Sequence, residues 1–124
     1  MRLVDTNVIL RYVLGDDKDL SPKAREIIQT KDVEVSVEVI AEVVYVLQSV
    51  YKVPRDAISE SLAIFLTESG IHAIQEPLIL EALGLYKESN ISFIDCLLAA
   101  YTVVHKAEVY TFDRKLQRLI NASR

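Results

Sequence analysis

Val33-Glu34-Val35-Ser36-Val37-Glu38-Val39-Ile40-Ala41-Glu42 is the stretch that decides the fold. Its first five residues are rich in β-branched side chains and too few to make a helix alone. From Ser36 or Val37 the apolar residues take up helical spacing and keep it to about Tyr51. Val39, Ile40, Val43, Val44, Leu47 and Val50 form a broad inward face. A short strand that feeds directly into an amphipathic helix is the repeating unit of an α/β fold.

The same unit recurs on both sides. Upstream, Leu3-Val4 reads as a very short buried strand ending at Asp5. A helix over Thr6 to Leu14 follows, with Val8, Ile9, Tyr12 and Val13 inward, and Gly15-Asp16-Asp17 stops it. Ser21-Pro22 has the form of an N-cap and first helical position, which predicts a second helix to about Thr30. Downstream, Pro54 opens a helix through Leu66, with Ile58, Leu62 and Phe65 inward, and Gly70 closes it. Ile71 to Ile74 is a third strand. Helices from Pro77 to about Glu88 and from Ser92 through His105 come next. Glu108 to Phe112 is a fourth strand, and Asp113 to Ile120 a short final helix. Strands alternating with helices or helix pairs predict a parallel sheet covered on both faces, with right-handed crossovers. There is no repeat, low-complexity tract or linker, so residues 1–124 read as a single domain.

Bulk properties narrow the classes. An apolar fraction of 51% suffices for one core without disulfides or structural metals. The net charge is −4, so the chain does not grip nucleic acid by bulk charge. An RNA substrate would have to be met by local basic groups or bound cations. The single cysteine, Cys96, lies in an apolar run and reads as a small core residue in a reducing compartment. No segment approaches the roughly 18 apolar residues of a membrane helix, and an acid at position 5 breaks any signal-peptide pattern. A cytoplasmic protein is expected.

Four acids stand out by position. Asp5 follows the first strand and Asp113 the fourth. Glu42 lies about two turns into the helix after the second strand, and Asp95 begins the helix leading back to the fourth. Singly, each has a structural explanation. Asp5 and Asp113 serve as helix caps, Asp95 stands at capping-box spacing from Ser92, and Glu42 shares a solvated stripe with Glu38, Tyr45 and Ser49. Jointly, they can converge beyond the carboxyl ends of a parallel sheet, where such folds bind ligands. Two carboxylates about 4 Å apart repel by about 4 kcal/mol at an effective dielectric near 20. A divalent cation relieves that, and oxygen donors without a His or Cys cluster favour Mg²⁺ or Mn²⁺ over Zn²⁺. His72 and His105 are isolated, and no glycine-rich phosphate loop or catalytic triad is present.

Four blocks carry a family resemblance: Val4-Asp5-Thr6-Asn7, Val37-Glu38-Val39-Ile40-Ala41-Glu42, Phe93-Ile94-Asp95-Cys96-Leu97-Leu98-Ala99-Ala100 and Thr111-Phe112-Asp113. In order and spacing they resemble the signature blocks of PIN-domain nucleases, and the length resembles the VapC-type toxins of toxin–antitoxin pairs. The resemblance implies a three-layer α/β/α sandwich with a parallel sheet of four to five strands. A short fifth strand often follows the last helix in that family, where here only residues 121–124 remain. It implies one or two Mg²⁺ or Mn²⁺ ions, with Asp5 and Asp95 as principal ligands and Glu42 and Asp113 holding a second ion or its waters. Thr6, Asn7 and Thr111 match supporting polar positions, with local capping as their rival role. The implied activity is endoribonucleolytic, leaving 5′-phosphate and 3′-hydroxyl ends. Arg11, Arg114, Lys115 and Arg118 are candidate RNA contacts, with a solvated surface as the alternative. The implied partners are RNA, a cognate antitoxin and a second copy of the chain. The apolar helices between Val37 and Leu66 are candidates for those protein contacts.

Rival readings remain open at the level of sequence. An RNA-processing PIN-like nuclease outside a toxin–antitoxin pair fits the same residues, as does a non-catalytic acidic-pocket binding module. An aspartyl phosphatase of the haloacid-dehalogenase type wants a second Asp where Asn7 stands. A receiver domain wants an Asp at the end of the third strand, which here ends at Ile74.

Overall fold

The computed structural model describes residues 1–123. Helix α1 spans Thr6–Leu14, α2 Leu20–Thr30, α3 Val37–Ser49, α4 Arg55–Glu68, α5 Glu76–Glu88, α6 Phe93–His105 and α7 Arg114–Ser123. Strands β1, Glu34–Val35, and β2, His72–Ala73, pair in parallel, Glu34 opposite His72 and Val35 opposite Ala73. Leu3 joins the far side of β1 through one parallel bridge to Glu34. There the Val4 N–H donates to the Glu34 carbonyl at 3.2 Å, and the Glu34 N–H to the Arg2 carbonyl at 2.7 Å. The predicted α/β class and parallel direction therefore hold. The sheet is smaller than the four to five strands expected: two strands and a bridge are formed among the described residues.

The missing pairing falls on Glu108 to Phe112. Its side chains do alternate as a strand's should, with Val109 and Thr111 partly covered and Glu108, Tyr110 and Phe112 outward. Val109 packs against a small cluster of Ala99, Leu116 and Ile120, which joins α7 to the outer face of α6. No backbone ladder accompanies that packing, and Tyr110 is 90% exposed. A strand was expected there from sequence; pairing depends on a neighbour's edge, and Leu3's outer edge carries no partner among the described residues. The final helix also runs past Ile120 to Ser123. Position 124 lies outside the described residues.

Most helix starts follow the expected capping chemistry. Ser36 Oγ accepts from the Val39 N–H and Ser92 Oγ from the Asp95 N–H. One assignment is corrected. α2 begins at Leu20, and its start is held by Asp17, whose Oδ1 accepts from the Leu20 N–H at 2.7 Å and the Asp19 N–H at 3.0 Å. Those two amides hold the Asp17 carboxyl below its ordinary range. Ser21 is buried inside the helix, and its hydroxyl donates to the Arg11 carbonyl at 2.6 Å, fastening α2 to the end of α1.

The main core draws on α1 to α6 and the sheet, with Ile9, Ile40, Leu47, Ile58, Leu62, Leu78 and Ile79 fully enclosed. Its polar fastening is Arg55. The guanidinium lies 3.6 Å from the Tyr86 ring centroid, Nε donates to the Tyr86 carbonyl at 3.0 Å, and Nη2 donates to the Ile91 carbonyl. Tyr86 meets Phe93 edge-on at 5.8 Å, and its hydroxyl donates to Gln48 Oε1 at 2.8 Å. Cys96 is enclosed, and burial pushes its thiol up, away from the reactive thiolate form. No helix among the described residues is long and apolar enough to cross a membrane.

Arg55→Ala removes a cation–π contact and two charge-assisted hydrogen bonds that tie α4 to the α5–α6 turn. Urea unfolding is expected to show a loss of about 3 kcal/mol. A loss under about 1 kcal/mol would mean that the turn holds its shape without Arg55.

Candidate active site

The parallel register places Asp5 and Ser36 at the same sheet edge, two residues beyond the Leu3–Glu34 bridge. Asp5 is the N-cap of α1, and its Oδ1 accepts from the Val8 N–H at 3.1 Å. Its negative charge faces the positive end of the helix dipole. Asp113 does the same for α7, its Oδ1 accepting from the Leu116 N–H at 3.0 Å. Thr111 braces this turn: its Oγ1 accepts from the Asp113 N–H at 3.0 Å, and Gln117 Nε2 donates to its carbonyl at 2.8 Å.

Glu42 and Asp95 are different. Asp95 uses its backbone N–H, not its carboxylate, in the bond to Ser92. Neither carboxylate has a hydrogen-bond partner among the described residues. On α3 the acid that stabilises the helix start is Glu38. Its own backbone N–H and the Ser36 hydroxyl hold it below the ordinary range. Glu42 is thus free of the local duty that its neighbour performs.

Two cavities locate the ends of α6 and α7. One of about 370 Å³ is lined by Asn90, Ile91, Lys115, Arg118 and Leu119. Another of about 300 Å³ is lined by Thr102, Val103, Lys106, Ala107 and Ser123. α6 and α7 therefore run side by side in the same direction, with Asp95 and Asp113 towards the same end. A third cavity, of about 100 Å³, lies between α3 and the start of α6 and is lined by Ala41, Tyr45 and Ser92 to Ile94 among others. Glu42 and Asp95 directly follow two of those lining residues.

The grouping is nevertheless incomplete. His105 Nε2 lies 2.6 Å from Gln75 Oε1, so the far end of α6 meets the end of β2. A 13-residue helix spans roughly 20 Å, which sets Asp95 well away from that point of the sheet edge. Among the described residues no three Asp, Glu, His or Cys side chains form a group able to hold one metal ion. The donor chemistry, all hard carboxylate oxygen, fits Mg²⁺ or Mn²⁺. The spacing of the four side chains does not by itself close around an ion.

Of the basic residues, Lys115 and Arg118 share the cleft beside Asn90. Arg114 is exposed in the first turn of α7. Arg11 is engaged locally, Nη1 at 3.3 Å from Asp16 Oδ1 and Nη2 donating to the Tyr51 hydroxyl at 2.7 Å. Its Nε is buried without a partner among the described residues. Thr6 is half-buried and Asn7 exposed beside Asp5. The sequence reading places Tyr45 on a solvated face and assigns nothing to Gln48. The available signal was that Tyr45 stands three residues after Glu42, on the same side of α3.

The fold and the end-of-element acids meet a family model: the PIN domain model matches residues 2–121, and the chain belongs to that family. It is also 30% identical over 130 aligned residues to a VapC ribonuclease of Aquifex aeolicus (strain VF5), covering 96% of this chain and 92% of that protein. No solved structure matches the chain.

The division of labour among the acids is measurable. Asp5→Ala and Asp113→Ala each remove a cap and are expected to cost about 1 kcal/mol in urea unfolding. Glu42→Ala and Asp95→Ala are expected to stay within about 0.5 kcal/mol of the parent. Equal losses at all four positions would contradict the distinction.

Proposed function

We propose that the protein is a metal-dependent endoribonuclease of the VapC type, the toxin of a toxin–antitoxin pair acting on RNA in the cytoplasm. One observation carries the reading. A likeness running nearly the whole length of the chain coincides with accessible or half-buried carboxylates at all four signature positions, and two of them, Glu42 and Asp95, have no structural bond to explain their presence. Asp5 and Asp95 would be the principal holders of Mg²⁺ or Mn²⁺, with Glu42 and Asp113 holding a second ion or its waters. A bound ion of this kind supplies an ionised water near neutral pH and neutralises phosphate charge.

The chain's own residues supply position. Val8 fixes the orientation of Asp5, and Thr111 fixes the turn that carries Asp113. Thr6 and Asn7 offer polar groups beside Asp5. Lys115, Arg118 and Arg114 draw the RNA backbone towards the start of α6, while Arg11 contributes chiefly by bracing α1. The remaining gap between the acids is closed by the fourth strand: Glu108 to Phe112 adds beside Leu3, completes a four-stranded sheet in an α/β/α sandwich, and carries Asp113 towards Asp5. Leu3 is 57% exposed, and Tyr110 and Phe112 are fully or nearly fully so, which leaves both partners available.

The antitoxin takes the groove between α1 and α4, about 260 Å³ lined by Tyr12, Val13, Ser61, Ile64 and Phe65. The exposed apolar residues Val50 and Tyr51, beyond the end of α3, suit a second copy. A non-catalytic module is the second reading, favoured by the open spacing of the acids. It predicts metal binding without cleavage.

In Mg²⁺ or Mn²⁺ the parent is expected to cut total cellular RNA, and Asp95→Asn to lose cleavage with its melting temperature within about 2 °C of the parent, since no structural bond is removed. Asp5→Asn keeps a capping oxygen and should behave likewise. Cleavage by Asp95→Asn at the parental rate would sink the site assignment. Strand addition is checked separately: amides across residues 109–111 are expected to gain hydrogen-exchange protection when Mg²⁺ is added, and unchanged rapid exchange would count against it.

A further inference from the structure

We propose that the small cavity between α3 and the start of α6 receives one unpaired base of the RNA, with Tyr45 as its stacking surface and Gln48 as the group that reads its edge. The proposal rests on the ribonuclease reading above and names a part of the substrate that the four acids do not touch. The cavity, about 100 Å³, is bounded by Tyr45, Gln48, Ser92, Phe93 and Ile94. It suits one planar ring, with apolar walls and a few polar groups at its margin.

Tyr45 is 67% exposed, and its hydroxyl has no hydrogen-bond partner among the described residues. An exposed tyrosine alone is unremarkable. This one borders a cavity beside two acids, and aromatic faces are the usual platform for unpaired bases.

Gln48 adds direction. A glutamine amide offers both an acceptor and two donors. Here one of the acceptor's two lone pairs is engaged, because the buried Tyr86 hydroxyl donates to Gln48 Oε1 at 2.8 Å. Tyr86 cannot swing away, since the Arg55 guanidinium lies on its ring and Phe93 packs against its edge. The Gln48 NH₂ is left to face outward. The cavity therefore favours a base edge that presents acceptors to that NH₂.

The position fits a nucleotide next to the scissile bond. Glu42 lies three residues before Tyr45 on α3, and Asp95 directly follows Ile94. Asn90 and Ile91, just before Ser92, line the basic cleft with Lys115 and Arg118. An RNA strand can pass from that cleft, over the turn that opens α6, into the cavity. Phosphates would meet the cations on one side, and a base would meet Tyr45 on the other.

The test uses single-stranded oligonucleotides that differ only in the bases flanking the cut, with cleavage by the parent and binding by Asp95→Asn both measured. Tyr45→Ala is expected to raise KM roughly tenfold or more with kcat changed less than about threefold, as loss of one stacked base implies. Tyr45→Phe keeps the ring and should rescue KM to within about twofold of the parent. Gln48→Glu still accepts from Tyr86 but has no donor, so the base preference at one position should turn towards bases that present an amino group. Cleavage by both Tyr45→Ala and Gln48→Glu with unchanged KM and unchanged preference overturns the proposal and leaves the ribonuclease reading intact. So does a Tyr45→Ala that alters only self-association or antitoxin affinity, which would assign this face to a protein partner. A parent that binds with base preference but cuts no RNA would sink the ribonuclease reading and keep the cavity.

Discussion

The Arg55 guanidinium lying on the Tyr86 ring is the contact on which the working end of the molecule depends. It joins three elements at one point: α4 supplies the cation, α5 the ring, and the turn before α6 the carbonyl of Ile91. A charge placed half inside a protein must be fully hydrogen-bonded or it destabilises the fold. Arg55 has two of its donors met by the Tyr86 and Ile91 carbonyls, the second of which needs the α5–α6 turn in place. The start of α6, and Asp95 with it, inherits its position from that requirement.

A second constraint is that two of the four acids hold up the fold as well as facing solvent. Asp5 and Asp113 each satisfy an amide at a helix start that would otherwise lack a partner. One oxygen of each carboxylate is occupied and the other is available. Capping thus fixes the direction in which the free oxygen points, an economical way to orient a ligand group on a short element. Asp95 and Glu42 carry no such duty, so their orientation comes from the packing of α6 and α3 against one another.

The sequence was legible where chemistry is local. The helix from Ser36 or Val37, the helix opened at Ser92 and the proline-opened α4 all appear as read, because each depends on residues within a turn or two. The start of α2 was misjudged because Ser21 finds a more distant partner, the Arg11 carbonyl, and Asp17 takes over the capping. The width of the sheet was not legible, since a β-rich run marks a strand and says nothing of the edge it will join. The acids were legible as end-of-element residues. Their mutual distances were not, because those depend on how α6 packs against α5 and α3, which no spacing rule encodes.

Asp113 sits on the part of the molecule with the least beneath it. The helix that it caps sets its Leu116 and Ile120 against Ala99 of α6, a small cluster separate from the main core, which Leu119 also touches. Segments supported by so few enclosed side chains detach by local opening at a free energy well below that of global unfolding. Heating or mild denaturant should therefore unfasten the C-terminal region first, and whatever work Asp113 does would cease while most of the chain is still native. The last acid in the chain is, in this sense, its thermal fuse.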